Sequence, residues 1–483
     1  MHMISKFVRE QRRYTQQELC DILECSELDV VSYIRKLKEY GVLKAVRASN
    51  LQKDLSELQE EDIEVADVEV GENEYLYVFT FVGVIVVSGR ALKCYPKYLL
   101  HAENPTVELQ QVLKVVERYN SKEQIVRMFN ESSESQTFNL LAVLLFLLQD
   151  YYEKDVYTNT EDVIESNGLG EIIWERTINE TFTLISSNRP YYTDLQTKRR
   201  INDEYDYFKR LHECILTRAS KELQDADLLD LFEITGVDLT DEELEDFGDK
   251  EYILYRIENE LNTQFNTRKQ LVLKTIYAYI DRSGNLTDTD CFSIFGTTSF
   301  NLVWENVCAD IMDNQLNRPL GALKLPLSLR PGYDRNKKLK DLIEKPLWTA
   351  SGKEAKDTLV PDLVTISETD HGYEFIIFDA KYYNARLEVN VQPNGQPGIE
   401  SITKQYLYQL AYQKFIIEHG FSSVRNCFLM PTEQNHVIDK GEVSMRMLED
   451  LGLQNIKVKL LPATLAYEYY LSGKKMNIND LKL

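Results

Sequence analysis

The sequence predicts a multidomain α+β protein, on three observations. Two capped helices precede strand-like runs near the start, long helical apolar periodicity fills the middle, and two short β-rich runs followed by a helix mark the last part. At 483 residues the chain is long enough for about two to four domains, each with its own core. The expected segments are residues 1–100, 101–285 and 286–483. An apolar share of 43% excludes a disordered chain.

Composition narrows the function classes. No stretch approaches the roughly 20 apolar residues of a membrane helix, and MHMISKFVREQRR has no apolar run after its charges. A cytoplasmic protein without membrane contact is expected. The seven cysteines are scattered and never form C-x-x-C, which argues against a disulfide framework, a zinc site or a four-cysteine iron–sulfur cluster. Net charge of −23 weighs against nucleic acid, because phosphate neutralisation needs clustered Lys and Arg. The acid is uneven, however: residues 51–74 carry ten acidic side chains against Lys53 alone, and 238–251 form a second acidic run. Global charge therefore says little about any local groove.

In residues 1–100, Thr15 with Glu18 and Ser26 with Asp29 make two capping boxes, opening TQQELCDIL and SELDVVSYIRKLKEYG. Gly41 closes the second helix. Extended VLKAVRAS follows, then YLYVFTFVGVIVVSG and ALKCYP around a glycine turn. Helix, helix, turn, helix and strand pair is the order of a winged helix-turn-helix, with Arg35, Lys36 and Lys38 on its recognition helix. Such a module binds duplex DNA or docks a protein, and both readings stand. Residues 101–285 read as a mainly helical scaffold, with LLAVLLFLL too short to cross a bilayer and suited to a buried helix. The sequence contains no G-x-x-x-x-G-K-[ST] phosphate loop, so nucleotide hydrolysis is not expected of this chain. Its six histidines form no triad or H-E-x-x-H spacing.

In residues 286–483, LVPDLVTI and YEFIIFDAKYY flank SETDHG, which predicts an antiparallel hairpin. Strand alternation puts Phe375, Ile377, Asp379 and Lys381 on one face. With the six turn residues outside the ladder, Ile366 pairs with Tyr373 and Asp362 falls opposite Ile377, diagonal to Asp379. Diagonal neighbours lie roughly 7–8 Å apart, a span two carboxylates can bridge through a hard divalent cation such as Mg²⁺. A lysine beside that cation can position or help deprotonate the attacking water, which is phosphodiester chemistry. Upstream, FNLVWENVCADIM is an amphipathic helix with Glu305 at the edge of its apolar stripe, either a site residue or a solvated flank. Downstream, ITKQYLYQLAYQKFII is a helix with Gln405, Gln409 and Tyr412 along one edge, and Lys404 reads as a phosphate contact or a solvated charge.

Pro361-Asp362 and Asp379-Ala380-Lys381 resemble the PD-(D/E)xK nuclease motif, and the YQ-x-x-AY segment resembles the Gln/Tyr helix of its RecB-like and McrC-like branches. The succession YVFTFVGVIVVSGRALKCYPKYL, GEIIWERTIN, VWENV, VPDLV, FDAKYY and YQLAY is similar to LlaJI-type restriction endonucleases, relatives of McrC, over most of the chain. The resemblance implies an α/β nuclease core with a mixed sheet and Mg²⁺ held by Asp362, Asp379, the Ala380 carbonyl and Glu305. Lys381 would orient water, with Gln409 and Tyr412 supporting. It also implies a DNA-cleaving subunit of a restriction system serving a McrB-like AAA+ GTPase, often beside a companion methyltransferase. The alternatives are a catalytically idle adaptor in a defence complex, a self-sufficient type II restriction enzyme and a RecB-like exonuclease.

Overall fold

The computed structural model describes residues 3–47, 63–64, 75–102, 104–120, 139–158, 160–202, 206–282, 284–370, 372–385, 387 and 395–483. The acidic run at 51–74, apart from 63–64, and the end of VLKAVRAS lie outside the described residues. The chain forms two compact units. The smaller comprises Met1–Met3, Val86–Gly89 and Ser133–Ser293, and the larger comprises Ile4–Ile85, Arg90–Ser132 and Ile294–Leu483.

The larger unit opens with β1 (Ile4–Arg9), β2 (Arg13–Tyr14), α1 (Gln16–Leu23), α2 (Glu27–Glu39), β3 (Leu43–Arg47), β4 (Ile63–Glu64), β5 (Tyr75–Phe79), β6 (Val82–Val87), β7 (Arg90–Tyr95) and α3 (Thr106–Asn120). Both helix starts follow from the capping residues. The Thr15 hydroxyl accepts from Glu18 N–H at 3.2 Å while the Glu18 carboxylate accepts from Thr15 N–H at 2.8 Å, and Ser26 accepts from Asp29 N–H at 3.2 Å. The helix expected ahead of α1 is replaced by β1, which pairs in parallel with β7. The expected strand pair is also divided. YLYVF pairs with LKAVR in a sheet of order β2-β5-β3-β4, whereas VGVIVV lies beside RALKCY in a sheet of order β1-β7-β6-β13, where β13 is Phe292–Thr297. Gly83 and Gly296 let these last two strands approach: a Cβ on Gly83 would stand 2.1 Å from the Phe295 carbonyl oxygen, and one on Gly296 2.1 Å from that of Val82.

The smaller unit contains α4 (Leu140–Lys154), β8 (Thr160–Ser166), β9 (Glu171–Ile172), α5 (Trp174–Glu180), β10 (Thr183–Ser186), β11 (Arg189–Tyr192), β12 (Gln196–Asn202), α6 (Tyr207–Asp225), α7 (Lys250–Thr263) and α8 (Thr267–Arg282). LLAVLLFLL is a core helix as expected, with Leu140, Leu141, Leu144, Leu147 and Leu148 buried. The strands between Thr160 and Asn202 were not foreseen. They are two to seven residues long, and several present apolar side chains to solvent, so they lack the in–out alternation that announces a strand. His212 on α6 is fully buried, and its Nδ1 accepts from Tyr157 N–H at 2.9 Å. Burial, then the Arg268 charge, push its pKa down to about 3.

The rest of the larger unit holds α9 (Phe300–Ile311), β14 (Leu347–Trp348), β15 (Lys353–Glu354), β16 (Leu363–Thr369), β17 (Gly372–Ala380), α10 (Ile399–His419), β18 (Ser423–Thr432), β19 (Ile438–Val443), α11 (Arg446–Glu449), β20 (Ile456–Pro462) and α12 (Ala463–Ser472). Five strands form a mixed sheet of order β16-β17-β18-β20-β19, antiparallel at both edges and parallel between β17, β18 and β20. The parallel step from β17 to β18 is bridged by α10, as parallel pairing requires. Tyr408, Tyr412, Phe415 and Ile416 of α10 recur at helical spacing and pack with Val364, Ile366, Phe375 and Ile377 of the hairpin.

Candidate active site

The hairpin is tighter than its sequence suggested. Ile366 pairs with Phe375, not Tyr373, and the ladder continues through Ser367↔Glu374 and Glu368↔Tyr373 to Thr369↔Gly372. The expected six-residue turn is corrected because Ser367, Glu368 and Thr369 join the strand, and Gly372, at φ +119°, takes a backbone conformation that disfavours a side chain. Register shifts by two residues, which preserves the facing side. Asp362, one residue ahead of the Leu363↔Phe378 pair, therefore stands across from Asp379 and not diagonal to it.

These two carboxylates touch. Asp362 shares a side-chain hydrogen bond with Asp379, and its Oδ2 accepts from Ala380 N–H at 2.9 Å. Asp379 is only 4% exposed, and its Oδ1 meets Lys381 Nζ at 3.0 Å. Burial is the main reason that the Asp362 pKa is pushed up to about 9. The hydrogen bond and charge of Asp379 and the charge of Glu305 add to it, and Lys381 opposes. Half-buried Glu305 on α9 is raised by burial and by Asp379, again against Lys381. Burial would lower the Lys381 pKa, but Asp379 and Asp362 outweigh it, so the ammonium is held charged. The backbone of Lys381 is fixed as well, donating N–H to the Leu429 carbonyl of β18 at 2.8 Å.

The structure thus brings together Asp362, Asp379, Lys381 and Glu305. Gln409 is elsewhere in its contacts: its Oε1 accepts from Asn426 Nδ2 at 2.6 Å and Gln454 N–H at 3.1 Å. Tyr412 is a core residue packed at a tilt against Phe375, 5.3 Å between centroids. Gln405 donates to the Ile377 carbonyl at 2.8 Å, and Lys404 pairs with Glu400 at 2.5 Å. Arg35 on α2 is exposed while Lys36 and Lys38 are half-buried. Two neighbours escaped sequence reasoning. Tyr408, the first residue of the α10 apolar stripe, feels the charges of Asp379 and Asp362 on top of its burial, and its stripe position was the available signal. Tyr382, next to Lys381, donates its hydroxyl to buried Glu10 across 372 positions of sequence, a separation that leaves no local signal.

Among the described residues no three His, Cys, Asp or Glu side chains form a ready metal-binding group, and no helix is long and apolar enough to cross a membrane. Without a cation the cluster holds its charge down by keeping Asp362 protonated against Asp379, and once Asp362 and Glu305 ionise the three carboxylates carry more negative charge than one lysine offsets. Such an oxygen-donor set suits a hard divalent cation that keeps several waters.

Fold and site define a multidomain α/β protein with a paired-carboxylate and lysine cluster at the end of a mixed-sheet hairpin. The profile of the LlaJI restriction endonuclease matches residues 81–327 and 333–461, and the chain belongs to that family. The family resemblance read from the sequence is borne out. The type II restriction enzyme BsuMI component YdjA of Bacillus subtilis (strain 168) is 26% identical over 416 residues, covering 84% of this chain and 83% of that protein. Among solved structures, a half-complex of Thermococcus gammatolerans McrB AAA+ hexamers with bound McrC aligns over 97% of this chain and 99% of the matched chain, at 11% identity and a TM-score of 0.37. A second McrBC complex from the same organism aligns over 65% of this chain and 88% of the matched chain, at 13% identity and a TM-score of 0.24.

Proposed function

We propose that this chain is the DNA-cleaving subunit of a restriction system and hydrolyses phosphodiester bonds in duplex DNA with Mg²⁺. The observation that carries the reading is the contact pair Asp362–Asp379 with Lys381 bound to it. In this reading residues 286–483 are a PD-(D/E)xK core, and Asp362, Asp379 and the Ala380 carbonyl hold the cation, with Glu305 supporting directly or through water. The cation supplies charge neutralisation and a polarised water. Lys381 is held charged, so it donates hydrogen bonds to the water and the scissile phosphate and is not the base that deprotonates the water. Tyr408 packs with the hairpin's apolar residues beside the site, near enough to feel the charges of Asp379 and Asp362. Gln409 and Tyr412 act at one remove, by holding α10 against the sheet.

In this reading α1, α2 and the β2-β5-β3-β4 sheet are the part of residues 1–100 that serves as the winged-helix module, binding DNA through Arg35, Lys36 and Lys38 or docking a protein. The absence of a phosphate loop and the net charge of −23 favour work beside a nucleotide-hydrolysing AAA+ partner, with a companion methyltransferase protecting host DNA. The middle segment offers a docking face, because Trp174, Ile178, Phe182 and Ile185 are all exposed.

The test is plasmid nicking and linearisation in Mg²⁺ or EDTA, with and without a McrB-like AAA+ protein from the same organism, for wild type, Asp362→Asn, Asp379→Asn and Lys381→Ala. Cleavage should require the cation and fall at least about 100-fold in each variant while the melting temperature stays within a few degrees or rises. Full activity in any of the three would overturn the assignment.

A further inference from the structure

An acidic nuclease needs somewhere to hold a polyanion. Between Arg318 and Lys345 the chain carries eight lysines and arginines against three acids, a local excess of five positive charges in a protein of net charge −23. Several of these are already engaged: Arg318 pairs with Asp313 at 2.7 Å, Arg330 Nε donates to the Glu418 carbonyl at 3.0 Å, and Lys345 Nζ donates to the Lys356 carbonyl at 2.8 Å. Arg335, Lys337 and Lys338 are exposed, Lys340 is half-buried, and among the described residues none of the four has an ion-pair partner.

A run of like charges normally spreads apart in solvent, but this one is fastened. Leu320 N–H donates to the Lys337 carbonyl at 2.8 Å, Gly321 N–H to that of Arg335 at 2.9 Å, Leu339 N–H to that of Arg318 at 3.1 Å and Lys340 N–H to that of Leu316 at 3.0 Å. Leu339 and Ile343 are buried in the same core as Val364, Ile377 and Tyr412. The segment that fastens this run, residues 314–321, is in turn tied to the start of the acid-bearing hairpin. Asn314 Nδ2 donates to the Asp362 carbonyl at 3.2 Å, its Oδ1 accepts from Val364 N–H at 3.2 Å, and Gln315 N–H donates to the Val364 carbonyl at 2.8 Å. Holding unpaired like charges together opposes folding, and a bound polyanion would relieve it.

We propose that the strap of Arg335, Lys337, Lys338 and Lys340 is the phosphate-binding surface for duplex DNA beside the cleavage site. The inference rests on reading the chain as a DNA-cleaving subunit and adds where the substrate backbone lies. The five residue-to-residue steps from Arg335 to Lys340 reach at most about 17 Å, and one DNA strand carries a phosphate every ~3.4 Å along the axis. The strap therefore spans several phosphates and reads backbone, not base sequence.

The experiment uses the full chain, a fluorescent 30-base-pair duplex and EDTA to prevent cutting, with anisotropy followed from about 25 to 250 mM KCl. Combined Arg335→Gln, Lys337→Gln and Lys338→Gln should weaken binding roughly 10- to 100-fold at low salt and flatten the log–log salt slope by about 2.7. The melting temperature should hold or rise, since the substitutions remove like-charge repulsion, and Asp379→Asn should retain binding. An unchanged slope, or no binding by wild type at the lowest salt, overturns the proposal. So does a variant that keeps DNA affinity and loses only association with the AAA+ protein, since the strap would then be a protein-docking face. If wild type cleaves in Mg²⁺ while the triple variant binds unchanged, the strap assignment fails and the nuclease reading stands. If wild type never cleaves while the slope flattens, the reverse holds.

Discussion

Asp362 and Asp379 touch at a buried strand end, and with a single neighbouring lysine this arrangement favours function over stability. Replacing Asp362 by asparagine removes one acidic partner and keeps an oxygen able to accept from Ala380 N–H. The metal-free protein should gain about 1 kcal/mol in denaturant unfolding while cleavage is lost. A loss of stability would show that the pair is better compensated than its burial implies. Tyr382 and Glu10 act through position. Tyr382→Phe leaves Lys381 in place but releases the hydroxyl tie to Glu10. It should lower kcat several-fold with KM little changed, whereas an equal effect on both would point to general loss of folded enzyme.

Among the elements, the most sensitive seam is where β6 and β13 approach through Gly83 and Gly296. Gly296→Ala places a methyl 2.1 Å from the Val82 carbonyl oxygen at a φ of +155°, so the strands must separate. A loss of 3 kcal/mol or more is expected, roughly that of strain plus overpacking, measured as a drop in melting temperature or as insoluble protein. The elements also show where sequence is readable. Helices α1 and α2 begin where Thr15 and Ser26 cap them, because capping is decided by residues three apart. The α10 stripe and the acid-bearing face of β17 were legible for the same reason, since helix and strand periods are local. Register was not, because Ser367, Glu368 and Thr369 are chemically at ease in a turn or an edge strand and only pairing decides. Strand β1 was missed because its partner β7 lies more than 80 residues away, and the strands between Thr160 and Asn202 carry no alternation to read.

For the molecule as a whole, pH should act on the smaller unit through His212. The unfolded imidazole takes up a proton below about 6.5, while in the fold it resists protonation down to about 3. The neutral form's contribution is therefore complete above pH 6.5 and is lost as pH falls through that window. At pH 5 the loss is roughly 2 kcal/mol. Thermal unfolding from pH 7.5 to 4.5 should show the decline, and His212→Gln should flatten it; an unchanged slope would assign the acid sensitivity to other groups. The bond from Lys381 N–H to the Leu429 carbonyl bears on the order of assembly. The hairpin β16–β17 closes between near neighbours, so both acids can meet while the chain is still leaving the ribosome. The strand that pins the lysine arrives only after α10 has crossed over, 48 positions later. A growing chain thus carries all of its acidic chemistry before it can aim any of it, and the interval between the two is written in the parallel order of the sheet.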